Sequence, residues 1–215
     1  STVRHAQPGS DEIVRATDEA WIGQDGYVRK DGTRQCRALT FQGHVTNGAG
    51  QSFVELFVAD LPEDLTLANG TAIEGTVRKR PAPPKGVRQR RLTYTGSRTF
   101  PGIQGPRHWP RSSPDGAKIA CLMRDDAGTV QLWLVSPNGG TPIQLTRNKA
   151  DVGSAFSWSP DGLLLAHVLD ASVCLTDVHS GCTFRLTEAV RGSDGPMPLA
   201  CVFSPNGRTI AYMRP

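Results

Sequence analysis

His108 is the residue whose side chain could most directly take part in chemistry. It follows Arg107 and stands six residues before Pro114, at the expected start of a β-strand. An imidazole in this position can bind a divalent metal or act as a general base. It can equally make a structural hydrogen bond, and no other histidine repeats its position. His108 is therefore the only metal candidate, and we expect no cofactor unless the protein is a metal-dependent enzyme.

Arg124, Asp125 and Asp126 form a second candidate binding group. They precede an Ala-Gly pair at a point where a hairpin turn is expected between two strands. Turn chemistry alone favours Asp and Gly in such a place. A solvated turn and a small binding site are therefore both compatible with these residues.

A basic segment spans residues 78–91 and contains no acidic residue. Its cations are Arg78, Lys79, Arg80, Lys85, Arg88, Arg90 and Arg91. Since the whole chain carries a formal charge of +4 and this segment carries +7, the remainder carries −3, so the basic character is local. Such a loop could contact phosphates or an acidic sugar polymer. No aromatic residues alternate with the cations as a stacking platform requires, so nucleic acid is disfavoured and a solvated loop that protects a strand edge is the alternative.

A recurring turn indicates which elements would position these residues. The sequence Ser-Pro-Asp-Gly, or a close variant, occurs at 113–116, 159–162 and 204–207, with a weaker echo at residues 31–32. Its prolines lie 46 and 45 residues apart, and a short apolar run follows each copy. A period of this length is typical of the blades of a β-propeller. Because proline presets φ and Asp and Gly tolerate the turn, we interpret the motif itself as structural.

The period predicts an all-β fold: a partial β-propeller of about three four-stranded blades and half of a fourth. The expected units are a connector at 1–20, a first blade at 21–95, a second at 107–147, a third at 154–187 and an incomplete fourth at 198–215. Residues 11–20 carry a helix-compatible pattern, and a basic, Pro-rich insertion at about 61–88 delays the last strand of the first blade. The strands of that blade are predicted at 21–28, 35–41, 53–58 and 89–94. Because a propeller removes its edges by closing a ring, we expect a missing half or a second chain to complete it.

Composition narrows the class of protein. The chain has 215 residues, of which 38% are hydrophobic and 20% are charged, as in ordinary globular proteins. No apolar run approaches the roughly 20 residues that a membrane span needs, so no membrane partner is expected. Five cysteines without CxxC spacing disfavour a disulfide framework and a zinc site. Free thiols favour a reducing compartment.

The copy of the repeat at 158–162 reads Trp-Ser-Pro-Asp-Gly, with Leu and Ala after it and then a strand that ends before a Gly turn. In this form the repeats resemble those of TolB-type (PD40) propellers, over about residues 90–215. The whole chain further resembles the C-terminal half of a family of bacterial TolB-like proteins, through segments 8–13, 55–62, 86–93, 106–109 and 122–128. This resemblance implies a missing N-terminal half and a bacterial protein, for which free thiols favour the cytoplasm over the periplasm.

Propellers that this chain resembles serve several ends, which include protein binding in TolB, gating in prolyl-oligopeptidase-like enzymes and catalysis in oligogalacturonate lyases. Fold alone does not choose among them. Our first hypothesis is a non-enzymatic scaffold that binds a protein, a small molecule or an oligosaccharide. The alternative is a metal-assisted lyase that acts on uronic-acid oligomers. Related lyases hold their metal through histidines of several blades, but the positions equivalent to His108 are Ser154 and Leu199, so the set is incomplete.

Overall fold

The computed structural model describes residues 2–3, 5–70, 72–106 and 109–215. In these ranges the chain forms sixteen β-strands and one turn of 3-10 helix at Gly192–Asp194. The strands assemble into three four-stranded sheets and two two-stranded sheets. This arrangement confirms the predicted all-β, partial propeller. Over the same residues we find no helix with the length and apolar character needed to cross a bilayer.

The first blade and its attached hairpin contain six strands, β1 (Arg15–Trp21), β2 (Tyr27–Val28), β3 (Arg34–Gln35), β4 (Ala38–Thr46), β5 (Ser52–Asp60) and β6 (Arg88–Arg91). The blade itself is an antiparallel sheet in the order β1, β4, β5, β6. Strands β2 and β3 pair with each other as a small hairpin outside this sheet. The weak echo of the repeated turn, at residues 31–32, joins these two short strands.

Strand β1 lies where a connector was predicted, so that prediction is wrong for residues 15–20. Backbone pairing with β4 overrides the helix-compatible pattern and places Arg15 opposite His44. Asp18 has a φ of 56°, in the left-handed region that right-handed helices do not contain. A bulge between Thr17 and Ala20 accommodates it. The predicted strand at 21–28 is also wrong. Strand β1 ends at Trp21, and within 22–28 only Tyr27 and Val28 form a strand, β2.

The next two blades repeat the four-stranded plan with their strands in chain order. Blade 2 contains β7 (Arg111–Ser112), β8 (Ile119–Arg124), β9 (Val130–Val135) and β10 (Ile143–Gln144). Blade 3 contains β11 (Ser157–Trp158), β12 (Leu164–Leu169), β13 (Ser172–Asp177) and β14 (Thr183–Arg185). A two-stranded unit of β15 (Val202–Phe203) and β16 (Ile210–Ala211) follows.

The first strands of successive units contact one another, β1 with β7, β7 with β11 and β11 with β15. Each blade and the two-stranded unit of β15 and β16 therefore place their first strand at a common centre, as the inner strands of a propeller do. The units form an arc whose two ends are blade 1 and the two-stranded unit.

The hydrophobic core lies between neighbouring blades. One buried cluster joins blade 1 to blade 2, and its members are Ile22, Tyr27, Ala38, Leu56, Val58, Leu92, Ile103, Ile119, Cys121, Met123 and Val135. A second cluster joins blade 2 to blade 3 around Leu132, Phe156 and Leu165. Because each fully buried large apolar side chain contributes roughly 1.5–3 kcal/mol, face-to-face packing is what holds the blades together.

The repeated turn has the same hydrogen bonds in every copy. The serine hydroxyl donates to the Asp or Asn side-chain oxygen two residues later, over 2.6, 2.5 and 2.7 Å. The same hydroxyl accepts the backbone N–H five residues later, over 3.0, 2.9 and 3.1 Å. The donors to the side-chain oxygen are Ser113, Ser159 and Ser204. The polar groups of the motif are thus used within the turn, which explains them without a ligand.

Candidate functional site

Arg107 and His108 lie outside the described residues, so the metal hypothesis at His108 stays a prediction. Among the residues on either side of this gap that are described, no group of three or more His, Cys, Asp or Glu side chains is arranged to hold a metal ion.

Asp125 belongs to the turn that joins β8 to β9. Its carboxylate accepts hydrogen bonds from the backbone N–H groups of Ala127 and Thr129, over 3.0 and 2.9 Å. It also accepts the side-chain amide of Gln131 at 3.1 Å. These bonds make Asp125 a structural residue of the hairpin.

The other two members of the second candidate binding group, Arg124 and Asp126, have different partners. The Arg124 guanidinium donates to the side-chain oxygen of Gln104 at 3.2 Å and to the carbonyl of Gly128. Asp126 is 95% exposed and lies 3.9 Å from Arg98. The three residues therefore do not converge on a common ligand.

The basic segment divides into a loop and a strand. Its first four cations are exposed in the insertion, and they are Arg78, Lys79, Arg80 and Lys85. Its last three cations belong to β6 and not to a loop, because β6 pairs with the end of β5. Side chains of a strand alternate between its faces, so Arg88 and Arg90 lie toward blade 2 while Arg91 lies on the opposite face.

Arg91 is bound to a buried carboxylate. Its guanidinium lies 3.0 Å from Glu55, whose side chain has no solvent-exposed area. Glu55 also accepts the Thr93 hydroxyl, the backbone N–H of Thr95 at 2.6 Å and the Thr95 hydroxyl at 2.8 Å. A buried charge needs such a set of partners. Arg91 is therefore part of the frame of blade 1 and is not available to a ligand.

Blade 2 has the same network with a neutral side chain. Gln131 takes the place of Glu55, and its oxygen accepts the Thr146 hydroxyl at 2.7 Å and the backbone N–H of Asn148 at 3.1 Å. The Thr146 hydroxyl accepts the backbone N–H of Leu132 at 3.0 Å. In blade 1, the Thr93 hydroxyl accepts the backbone N–H of Leu56 in the same way. The network is thus a repeated device that joins the last two strands of a blade.

His167 is buried in blade 3, where it is hydrogen-bonded to the Thr176 hydroxyl at 2.8 Å. Thr176 in turn contacts the Thr183 hydroxyl at 2.9 Å. Burial lowers the pKa of His167 to about 4, so the ring is neutral at pH 7. It therefore acts as a polar residue within the sheet.

The face of blade 1 that points away from blade 2 is here called the open face. It carries a buried apolar cluster of Ile13, Phe41, Val45 and Phe57. The rings of Phe41 and Phe57 stack with their centroids 5.6 Å apart. A cavity of about 570 Å³ lies on this face, between the cluster, Leu39 and the Pro-rich residues 81–83 of the insertion.

A second uncovered surface lies at the other end of the arc. The two-stranded unit covers only part of blade 3 and leaves a cavity of about 330 Å³ beside β16. The apolar side chains that line it are Leu164, Val173, Leu175, Leu186, Phe203, Ile210 and Tyr212. Both ends of the arc therefore present apolar sheet surface.

A cavity of about 360 Å³ lies at the junction of blades 1 and 2, and we call it the basic pocket. Its walls are formed by the end of β5, strand β6, the hairpin of β2 and β3, and the turn after β9. It is lined by Tyr27, Arg29, Lys30, Asp31, Asp60, Arg88, Arg90 and Asn138. Four cations face two carboxylates, so the pocket has a net positive charge.

Tyr27 and Asp60 hold Arg90 at the floor of the basic pocket. The Tyr27 hydroxyl donates to the Asp60 carboxylate at 2.8 Å and accepts from the Arg90 guanidinium at 2.6 Å. Burial, reinforced by the hydrogen bond to Asp60, raises the pKa of Tyr27, so the phenol remains protonated at neutral pH. Arg90 also donates to the carbonyl of Pro137 at 3.1 Å, which ties blade 1 to blade 2.

The remaining charges of the pocket differ in their partners. The Asp31 carboxylate accepts the hydroxyl and the backbone N–H of Thr33, at 2.6 and 2.9 Å, and these bonds lower the pKa of Asp31. Arg29 donates to the Gln35 side chain. Within the described part of the chain, no side chain pairs with the exposed cations of Lys30 and Arg88.

Sequence reasoning singled out Arg88 and Arg90 of the pocket but missed Tyr27, Arg29, Lys30, Asp60 and Asn138. The missed residues are spread over more than a hundred positions and meet only through the fold. The alternation of arginine at 88 and 90 is the signal that could have placed both on the face toward blade 2.

The chain is similar to two curated bacterial proteins. It is 46% identical over 211 residues to the uncharacterized protein YidR of Escherichia coli (strain K12). The aligned region covers 96% of this chain and 48% of YidR. It is 33% identical over 106 residues to the uncharacterized protein Atu1656 of Agrobacterium fabrum. The aligned region covers 46% of this chain and 33% of Atu1656. No protein-family model matches.

Among solved structures, TolB from Acinetobacter baumannii is similar over 86% of this chain and 36% of its own length, with a TM-score of 0.50 and 17% identity. A match at this level shows the fold alone. The chain spans less than half of the length of the curated relatives that it matches.

Proposed function

Because this chain has the TolB-like β-propeller fold, we propose that the protein is a binding scaffold that holds a partner and does not catalyse a reaction. One observation carries this proposal. The side chains with the most catalytic potential in the described part of the chain are engaged inside single blades, as shown by Glu55, Asp125 and His167. They stabilise sheets and turns, whereas the basic pocket offers mainly hydrogen-bond donors, which suit binding.

We further propose that additional blades, from the same polypeptide or from a second chain, cover both ends of the arc and close the ring. The cavity on the open face of blade 1 and the apolar cavity beside β16 support this. The other blades of the arc use such faces to pack against a neighbour. The surfaces of the completed ring would bind a protein, a small molecule or an oligosaccharide.

We propose a reducing compartment, the bacterial cytoplasm, for this protein, and the cysteines support this proposal. All five are free thiols. Burial raises the pKa of Cys201 to about 11 and also raises that of Cys121. Buried, protonated thiols are unreactive and behave as small apolar side chains.

The scaffold proposal predicts that the protein, assayed with all of its blades, does not cleave oligogalacturonate when a divalent metal is supplied. The physical reason is that a lyase needs a base and a metal that converge on the sugar, whereas Glu55, Asp125 and His167 are already hydrogen-bonded inside single blades. Release of unsaturated sugar ends can be followed by ultraviolet absorbance. Product formation by the wild type that disappears in His108→Ala would contradict the scaffold and support the lyase.

A further inference from the structure

We propose that the basic pocket is a binding site for a small ligand that carries a phosphate group. This goes beyond the scaffold function, because it assigns a site and a class of ligand. The pocket brings together side chains from four elements, which are the hairpin of β2 and β3, the end of β5, strand β6 and the turn after β9. Tyr27, Asp60 and Arg90 bond to one another, and Asn138 donates to the carbonyl of Val28 at 2.8 Å, so these four residues shape the cavity.

The charge balance of the pocket favours an anion. Asp60 is occupied by Tyr27 and Arg90, and Asp31 is occupied by its own turn. Neither carboxylate is paired with Lys30 or Arg88 among the described residues. The lining holds four cations and two carboxylates, so the cavity keeps a formal net charge of +2, which raises the local positive potential and attracts an anion.

The identity of the cations favours phosphate over a single carboxylate. Guanidinium groups present a planar fork that matches phosphate oxygens, and a lysine ammonium adds a point charge. The pocket offers Arg29, Arg88 and Lys30 around one volume. A phosphate monoester is largely a dianion at pH 7, so it can satisfy more than one cation at once.

The size and walls of the pocket favour a small ligand over a nucleic acid. A volume of about 360 Å³ is at the lower end of the range of small-molecule sites. Tyr27, the only aromatic residue in the lining, is buried and uses its hydroxyl on Asp60 and Arg90. It offers no exposed ring on which bases could stack.

Calorimetric titration of the full-length protein with inorganic phosphate at neutral pH tests this proposal. We expect saturable binding that the double variant Lys30→Gln/Arg88→Gln weakens by about tenfold or more, because two charge-assisted contacts are lost. The matched control, Arg78→Gln/Lys79→Gln, removes the same charge from the insertion and is expected to change the affinity by less than about twofold. Circular dichroism verifies that each variant is folded.

Titrations with glucose 6-phosphate and with galacturonate show which anion the pocket prefers. Glucose 6-phosphate that binds more tightly than inorganic phosphate would identify a phosphate ester as the ligand, whereas equal binding would identify free phosphate, and either result supports the proposal. Galacturonate, which carries only a carboxylate, is expected to bind more weakly. The proposal is overturned if the wild type shows no saturable binding of phosphate, if the control variant loses as much affinity as the test variant, or if galacturonate binds more tightly than phosphate.

Discussion

Replacement of Glu55 by alanine is expected to lower the free energy of unfolding by about 3–5 kcal/mol, the usual cost of breaking a buried ion pair from one side. The substitution leaves the Arg91 side chain, which is only 9% exposed, without its nearest carboxylate. It also strands the backbone N–H and the hydroxyl of Thr95, which both donate to Glu55. Urea unfolding followed by circular dichroism measures the change.

Blade 2 suggests the matched variant. Glu55→Gln is expected to cost only about 1–2 kcal/mol, because an amide oxygen can still accept the threonine hydroxyl, as Gln131 does. Asp126→Ala removes an acid that is almost fully exposed and is expected to cost less than about 0.5 kcal/mol. Equal stability of Glu55→Ala and Asp126→Ala would show that the buried network does not hold blade 1 together.

Gly116→Ala is expected to destabilise the protein by about 3–5 kcal/mol through backbone strain combined with a steric clash. Gly116 has a φ of 75°, and a methyl group built on it would lie 1.9 Å from the carbonyl oxygen of Gly26. This close approach docks the segment before β2 onto the turn of blade 2, where Gln24 also donates to the carbonyl of Pro114 at 2.9 Å. Thermal and urea unfolding measure the loss.

Gly162 provides the control, because it occupies the same position in the turn of blade 3. Its φ is 72°, but the atom nearest to an added methyl group is a ring carbon of Pro114 at 3.4 Å. Gly162→Ala should therefore cost only the left-handed backbone term of about 1–2 kcal/mol. If both alanine variants lose the same stability, the contact between Gly116 and Gly26 does not hold blades 1 and 2 together.

The repeated turn made most of the architecture predictable. The role of Ser-Pro-Asp-Gly is to reverse the chain while its own side chains form the hydrogen bonds of the turn. Because one copy occurs in each repeat unit from blade 2 onward, the spacing of the copies predicts the length and number of the blades. Blade 1 lacked this signal, because a hairpin of β2 and β3 stands where the turn is found in the other blades. Strand β1 also lacked a clear alternation of apolar residues, and its bulge at Asp18 breaks the period of two.

The sequence predicts the two arginines of the basic pocket but not the residues that surround them. Arg88 and Arg90 are two residues apart on one strand, so their common face follows from local geometry. Tyr27 and Asp60 are 33 positions apart, and the role of each depends on the other through a hydrogen bond. The same reasoning applies to Arg91, whose charge suggested a ligand site in the sequence and whose pairing with the buried Glu55 depends on the fold.

Dye binding combined with light scattering on the 215-residue chain tests most directly whether the propeller is an arc that further blades complete. The chain alone is expected to bind an apolar-surface dye such as ANS, because both ends of the arc expose apolar sheet surface. Leu39→Asp on the open face should reduce the dye signal. Ile143 lies on the outer strand of blade 2 and is 66% exposed, and Ile143→Asp should leave the signal nearly unchanged. A compact monomer of one chain that binds no dye would contradict the account, because it would show that these 215 residues close their own sheet surfaces.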